Sequence, residues 1–439
     1  TGMGALAKET AVMLPLYAVL IEWVVFRFRR PTGQQDNRVT ALFVAVLLLP
    51  LLAGLVWLLP QVFNPGYWST RDFGLRTRLL SEARIIVDYI RWTLLPTPDA
   101  LSFYHDDFRI STGLLTPWTT LGSILFLGML VAVMVWLRRR LPLATLGIGL
   151  FLGCQLLTGT ILPLELIYEH RNYFASFGLM LAIVPLLAVP STATMALPRY
   201  ALLACAMVCW IALTAFTAYA WGNPLRLAED LASRAPLSPR AQYELGRTYI
   251  IYSHYDPVSP FTKLAYPPLE KAAALPEASI LAEQALVFMN SRMRLPIKDA
   301  WWDSLIAKLK ARRPGVQDES SLGALTQCAR EGRCDLSKQR MIDAYLAALS
   351  HPNPSARLLS MYGDYAWNVL GDKELGLRMN SEAVATSPHE PAYRITEIRM
   401  LAALGRTDEA QQQYRQLQGM NIGGSLDESI RSLRSLIDR

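Results

Sequence analysis

Long apolar runs dominate the first half of the chain, whereas the second half shows the mixed spacing of amphipathic helices. Six of these runs approach the roughly 20 residues that a helix needs to cross a bilayer core. They cover residues 11–26, 39–60, 114–137, 141–164, 174–190 and 200–221. We therefore predict an all-α protein, with a polytopic transmembrane helical bundle over 1–224 and a soluble helical unit over 225–439.

The positions of the arginines predict how the bundle is oriented. Alternation of the spans places one set of arginine-rich links on a single side: Arg27, Arg29, Arg30, Arg38, Arg138, Arg139, Arg140 and Arg199. The positive-inside rule assigns that side to the cytoplasm. Six arginines in the loop 61–113, on the opposite side, run against the rule. On this arrangement the loop 61–113, the link 165–173 and the second half share the outer side.

The net charge and the cysteines indicate which partners and which cellular compartment the sequence predicts. The formal net charge is +7, but no basic stripe with interleaved aromatic residues occurs, so span-end arginines explain it and no nucleic-acid partner is predicted. Cys154, Cys205 and Cys209 lie in apolar runs. Cys328 and Cys334 lie in a polar segment, where a local disulfide suits an exported loop. No cysteine or histidine with zinc-ligand spacing lies near them.

A sequence repeat organises the end of the chain. LGDKELGLRMNSEAVATSP begins at Leu370, LGRTDEAQQQYRQLQ begins at Leu404, and their Gly371 and Gly405 are 34 residues apart. This is the period of tetratricopeptide repeats. We predict an α-solenoid of tetratricopeptide-like helix pairs, clearest over 355–420, with a generic helical bundle as the alternative elsewhere. Such a solenoid offers a concave surface to peptides or partner proteins.

Ionisable residues at the ends of apolar runs are candidate functional groups, because charge is costly in lipid. Lys8 and Glu9 stand at the first run, where a solvated, snorkelling helix end is an equal alternative. The link between the fourth and fifth runs is denser in polar groups than a turn requires: Glu165, Glu169, His170, Arg171 and Asn172. Its arginine suits a phosphate, whose oxygens accept two parallel hydrogen bonds from the guanidinium.

The loop 61–113 provides further candidates. Its segment 78–96 places apolar residues on one helical face and charged residues such as Arg78 and Glu82 elsewhere, which predicts an amphipathic helix lying on the membrane surface. A polar group follows it: Tyr104, His105, Asp106 and Asp107. The paired acids suit a divalent cation or a general base, and an ordinary solvated loop is the alternative.

Three segments occur in the order of motifs from a known family: KETAVMLP (8–15), LLPTPDALS (94–102) and YEHRNYFASFG (168–178). With them, the chain resembles membrane glycosyltransferases of the GT-C superfamily that carry C-terminal tetratricopeptide repeats. It is similar to the transmembrane and tetratricopeptide-repeat O-mannosyltransferases and looks like a bacterial member. One departure is that the family motif typically begins Glu-Arg, whereas this chain has Glu169-His170-Arg171.

The resemblance implies transfer of a sugar from a polyprenyl-phosphate-linked donor to a protein or glycan on the periplasmic side of a bacterial inner membrane. The repeats would bind the acceptor or a partner. It implies a donor-phosphate site among Lys8, Glu9, Glu169, His170, Arg171 and Asn172. The family's catalytic acid follows its first membrane helix. Because this chain opens at Thr1 inside an apolar pattern, we expect that acid upstream and assign no general base.

Two other functions stay open from the sequence. A non-enzymatic, membrane-anchored repeat scaffold for envelope or pilus assembly predicts that Arg171→Ala leaves function intact. A plain anchor, however, needs one span and no polar clusters. A polysaccharide polymerase or ligase also uses lipid-linked sugars, and it predicts altered glycan length as the phenotype.

Overall fold

The computed structural model describes most of the chain, namely residues 4, 9–30, 32–68, 71–95, 97, 102–189, 196–275 and 278–437. Regular secondary structure within these residues is helical, which confirms the all-α prediction. Contacts divide the chain into two compact units, Thr1–Ala235 and Pro236–Arg439. Residues 225–235, which the sequence analysis assigned to the soluble unit, belong to the first of them.

Nineteen α-helices make up the described residues. The first unit holds α1 (Leu14–Ile21), α2 (Asn37–Val62), α3 (Leu75–Leu94), α4 (Thr119–Leu137), α5 (Pro142–Thr158), α6 (Asn172–Ala188), α7 (Ala196–Trp221) and α8 (Pro224–Arg234). The second holds α9 (Pro239–Ser253), α10 (Pro260–Ala274), α11 (Leu281–Met293), α12 (Asp299–Ala311), α13 (Val316–Arg330), α14 (Lys338–Leu349), α15 (Ala356–Tyr365), α16 (Lys373–Thr386), α17 (Pro391–Ala403), α18 (Thr407–Gly419) and α19 (Asp427–Ile437).

Four helices of the described chain are long and apolar enough to cross a membrane: α2, α4, α7, and α6 together with its leading turn. Two of the six predicted spans fall short, since Thr10–Phe26 and Pro142–Thr158 are apolar but shorter. The run 141–164 does not stay helical to its end, because α5 stops at Thr158 and the chain turns at Gly159. At 1.5 Å per residue, α5 covers roughly 25 Å, less than the roughly 30 Å of a bilayer core.

Helices α5 and α6 cross closely at two glycines. A Cβ atom on Gly147 would lie 2.3 Å from the carbonyl oxygen of Gly178, and one on Gly178 would lie 2.6 Å from that of Gly147. The two backbones therefore touch directly, as small residues allow between membrane helices. Because the helices are antiparallel, the link 159–171 crosses one end of the pair.

Helix α3 buries its polar face. Arg78, Ser81 and Glu82 are almost fully buried beside Ile85, whereas Leu79 is 44% exposed. The prediction that the charged face of this helix points to water is therefore wrong for Arg78 and Glu82. The physical reason is the partner of that face, an irregular segment after α5 whose backbone carbonyls need donors.

The two ends of α4 contact different parts of the first unit. At its first turn, the Thr120 hydroxyl is 2.8 Å from that of Ser111, whose N–H donates to the Ser81 hydroxyl of α3. Beyond its last turn, Arg138 donates to the carbonyl oxygen of Trp23. The outer-loop helix and the arginine-rich links thus lie at different ends of the first unit.

Capping side chains set where helices of the second unit begin. The side chains of Ser238, Ser337, Ser355 and Asp372 each accept a hydrogen bond from a backbone N–H of the following turn. These residue types are preferred at this position because they satisfy amide groups that lack intrahelical partners. The hydroxyl and carboxylate caps thus fix the start of α9, α14, α15 and α16.

Helices of the second unit pack as consecutive pairs, α9 with α10, α15 with α16, and α17 with α18, and alternate helices such as α11 and α13 also touch. Gly363 and Gly376 lie at the crossing of α15 and α16, where a Cβ on Gly363 would be 2.9 Å from the Gly376 carbonyl oxygen. Gly371 and Gly405 have φ angles of 79° and 74°, and each closes the turn before the next helix. A disulfide joins Cys328 at the end of α13 to the following loop.

Candidate functional site

Two of the predicted polar clusters meet at one end of the first unit. The Glu169 carboxylate accepts a hydrogen bond from the N–H of Ser102 at 2.7 Å and lies 3.2 Å from Nε2 of His105. The hydroxyl of Tyr89 on α3 accepts from the Tyr168 N–H at 2.9 Å. The structure therefore brings the loop 61–113 against the link between α5 and α6.

Asn172 connects three helices at this point. It is nearly buried, and its Nδ2 donates to the Thr93 hydroxyl of α3 at 3.1 Å. Its Oδ1 accepts from Nε2 of Gln155 on α5 at 3.3 Å. Since both ends of the amide have partners, the start of α6 is held against α3 and α5.

Arg171 stands at the edge of the cluster. One N–H of its half-buried guanidinium donates to the Glu165 carbonyl oxygen at 2.7 Å, and the group covers the Tyr168 ring at 5.0 Å. A guanidinium carries five N–H groups, so most of its donors have no acceptor among the described residues. The neighbouring His170 is exposed and meets the Tyr168 ring edge-on at 4.4 Å.

A buried ion pair underlies the cluster, and sequence reasoning missed it. Arg78 donates to the carbonyl oxygens of Thr158, Thr160 and Leu164, and its Nη2 lies 2.7 Å from Glu82 Oε1 as a close ion pair. The guanidinium thus replaces the backbone donors that α5 loses where it ends, and it holds the link in place. A signal was present, since Arg78, Ser81, Glu82 and Tyr89 fall on one face of the helix.

Positive charge is concentrated locally around Arg78. Burial raises the pKa of the Glu82 carboxyl to about 7, although the charges of Arg78 and Arg171 act to lower it. Burial lowers the pKa of Arg78; the Glu82 charge opposes that shift, and the charges of Arg171 and Arg71 add to it. Arg71 and Arg171 are thus close enough to interact with Arg78, and the carboxyl group of Glu82 beside Arg78 is difficult to ionise. This arrangement favours an anionic ligand.

An apolar groove of about 710 Å³ adjoins the polar cluster between α3, α6 and α7. Its lining includes Trp92, Thr93, Met180, Trp210, Leu213 and Trp221. Two contacts join it to the cluster, because the His105 ring stacks on Trp92 at 5.1 Å and Thr93 is the residue that Asn172 binds. The groove runs along α7, none of whose most apolar 18-residue stretch is buried.

The remaining candidates take less part in the site. Lys8 lies outside the described residues, and Glu9 is the first residue of a short 3-10 turn. Tyr104 donates its N–H to the Ser102 hydroxyl at 3.1 Å, and Asp106 and Asp107 are exposed. Across the residues that the structure describes, no group of three or more His, Cys, Asp or Glu side chains is arranged to hold a metal ion.

The arrangement as a whole combines a cationic centre, a buried carboxyl group and an adjoining apolar groove. It can bind an amphipathic anion, with the charge near Arg171 and the apolar part along α7. No protein-family model matches this chain, and comparison with curated proteins and with solved structures found no match either.

Proposed function

We propose that this chain is an integral-membrane glycosyltransferase of the GT-C type, which transfers a sugar from a polyprenyl-phosphate-linked donor to a protein or glycan acceptor. One observation carries the proposal: the apolar groove between α3, α6 and α7 adjoins the polar cluster of His105, Glu169 and Asn172, which directly follows Arg171 in the chain. The donor has the same two parts, an apolar chain and a charged phosphate.

The groove suits the chain of such a donor. Its walls are largely apolar, and tryptophans from α3 and α7 supply broad faces, Trp92, Trp210 and Trp221 among them. Burying apolar surface stabilises a complex by about 25 cal/mol per Å². Because α7 is itself apolar and unburied, a lipid chain can enter from the side of the helix without crossing water.

The polar end suits the phosphate. Arg171 holds unused N–H groups in a planar fork that matches two phosphate oxygens. Arg78 and Arg71 strengthen the positive potential around it. In a sugar transfer the phosphate leaves with negative charge, so preformed cationic groups lower the barrier as well as bind the donor.

The second unit supports an acceptor-binding function on the outer side. Its helix pairs and the 34-residue register from Gly371 to Gly405 favour a tetratricopeptide-like solenoid with a surface for proteins. The Cys328–Cys334 disulfide favours an oxidising compartment such as the bacterial periplasm, on the outer side of the inner membrane. Trp221, the last residue of α7, lines the groove, and its ring lies 5.2 Å from that of Phe103, so α7 ends near the proposed site.

Lipid binding tests the proposal directly. The full chain in phosphatidylcholine nanodiscs is titrated with undecaprenyl phosphate and with undecaprenol, following tryptophan fluorescence. We expect the phosphate to bind more tightly, and Arg171→Gln to weaken it about 10- to 100-fold, since hydrogen bonds to charged groups contribute roughly 1.5–3 kcal/mol. Binding of the alcohol should not change.

Arg226→Gln is the matched control. Arg226 also donates to a backbone carbonyl, that of Tyr219 at 2.8 Å, and covers the same tyrosine's ring. Equal affinity for phosphate and alcohol would contradict the proposal. Sugar transfer from a labelled polyprenyl-phosphate sugar in membranes containing the chain then separates the enzyme from a scaffold, and altered polymer length would indicate a polymerase.

A further inference from the structure

The opposite end of the first unit carries a second anion site. We infer that Arg27, Arg138 and Arg139 bind the phosphate headgroup of an anionic phospholipid. This inference is independent of the proposed transferase, because it uses other residues, at the other end of α4.

The site is assembled by a tertiary contact between two distant links. Arg138, just beyond α4, donates through Nε and Nη2 to the carbonyl oxygen of Trp23, at 3.2 and 2.9 Å. Its guanidinium also covers the Trp23 ring at 4.4 Å. The turn that follows α1 and the turn between α4 and α5 are thereby fixed to each other.

Positive charge converges at this contact. Burial lowers the pKa of Arg138, and the nearby charges of Arg139 and Arg27 lower it further. Among the described residues, no carboxylate forms an ion pair with any of the three arginines. Like charges held together repel one another, and a bound anion offsets that repulsion.

The two acids of the adjacent link are already engaged. Glu22 accepts a hydrogen bond from the Phe28 N–H at 3.1 Å, and Asp36 forms an ion pair with Arg30 at 3.0 Å. Asp36 is thus neutralised by Arg30, and Glu22 keeps one negative charge against the three positive charges of the cluster. Anionic charge from outside the chain is therefore the natural complement of the three guanidinium groups.

The apolar and aromatic residues around the three arginines favour a phospholipid over a soluble anion. The arginines directly follow apolar helices, and exposed aromatic side chains flank them, Phe26 at 58% and Trp136 at 63% exposure. Aromatic residues and arginines at a helix end mark the membrane interface, where lipid phosphates lie. Basic clusters at that level between transmembrane helices bind anionic headgroups.

Native mass spectrometry of the full chain tests the site. The protein in neutral detergent is mixed with equal amounts of phosphatidylglycerol and phosphatidylcholine, and the retained lipid is counted. We expect preferential retention of phosphatidylglycerol, and a loss of about 10- to 30-fold in the Arg27→Gln/Arg139→Gln double variant, from roughly 1 kcal/mol for each basic residue near a lipid surface. Arg138 is left in place because it holds Trp23.

The control is Arg76→Gln/Arg109→Gln, which removes the same charge at the other end of α4. Arg139→Lys, which keeps the charge, should retain the preference. The inference fails if the wild type shows no preference, if the control pair loses as much lipid, or if inorganic phosphate displaces phosphatidylglycerol at equal concentration. Thermal midpoints of all variants show whether each is folded.

Discussion

At the scale of the residue, Arg78 shows how one side chain decides where a helix ends. Its guanidinium donates to three carbonyl oxygens at and just beyond the end of α5, where the helix no longer supplies backbone donors. Such groups cost several kcal/mol each in an apolar medium, by an estimate of about 2–7 kcal/mol. These hydrogen bonds from Arg78 stabilise an irregular link that carries Glu169 and Arg171.

Replacing Glu82 should change how stability depends on pH. The folded state raises its pKa from 4.5 to about 7, so the folded protein binds the proton more tightly than the unfolded chain. This group therefore contributes stability below pH 4.5 that is lost as pH rises through 7. The groups facing it are Arg78, Arg171 and Tyr89.

We expect the thermal midpoint of the wild type to fall more steeply between pH 5 and 8 than that of Glu82→Gln, as measured by scanning fluorimetry in detergent. Asp107→Asn is the control, because Asp107 is an exposed acid outside this network. Equal slopes in the wild type and Glu82→Gln would contradict the assignment.

Sequence reasoning identified part of this chemistry. The density of polar groups from Glu169 to Asn172 was visible along the chain, and the structure joins Glu169 to the predicted His105. Arg78 and Glu82 lie away from the apolar face, as predicted, but their own face is buried, which a helix lying on the membrane surface would not require. A 3.6-residue period defines two faces but not which one is buried, and here carbonyl groups distant in sequence reverse the usual choice.

At the scale of the element, hydropathy predicted helices better than their lengths. The run 141–164 is apolar throughout, yet α5 ends at Thr158 because Arg78 supplies donors to the chain beyond it. Apolar content alone does not contain that information. The crossing of α5 and α6 was equally hidden, since Gly147 and Gly178 look like any other glycines of an apolar run.

Adding a methyl group at Gly178 should separate α5 from α6. The new Cβ would lie 2.6 Å from the Gly147 carbonyl oxygen, so the helices must move apart. We expect Gly178→Ala to destabilise the first unit by about 1–3 kcal/mol, as overpacking does. Gly128→Ala, where nothing lies within 4 Å, should be neutral or slightly stabilising. The test is to measure the free energy of unfolding of both variants in detergent. Equal values would contradict the close crossing of α5 and α6.

At the scale of the whole molecule, the change from apolar runs to amphipathic spacing predicted two parts. The structure has two compact units, the first of which extends through Ala235. The glycine landmarks Gly371 and Gly405 made the last helix pairs visible in the sequence. The sequence also predicted an earlier pair, with 241–249 in its first helix and 267–276 in its second, and Gly246 of α9 packs there against Leu269 of α10. Residues 277–350 have no comparable repeat, and the pairing of their helices was not predicted.

The disulfide gives the second unit a measurable signature. Cys154, Cys205 and Cys209 are free, so three thiols should react in the denatured protein before reduction and all five cysteines afterwards. We expect Cys328→Ser/Cys334→Ser to lower the unfolding free energy by about 2 kcal/mol, as for closure of a short loop. Five reactive thiols without reductant would contradict the bond, and Cys205→Ser/Cys209→Ser is the matched control.

The groove beside α7 has a consequence for how any occupant is supplied. Because the groove runs along an apolar helix that the protein leaves uncovered, its reservoir is the surrounding bilayer and not the water. Occupancy then follows the mole fraction of ligand among the lipids, a two-dimensional density. Adding inert lipid would lower the occupancy of the groove, whereas adding buffer would not. The rate of binding would depend on lateral diffusion within one leaflet.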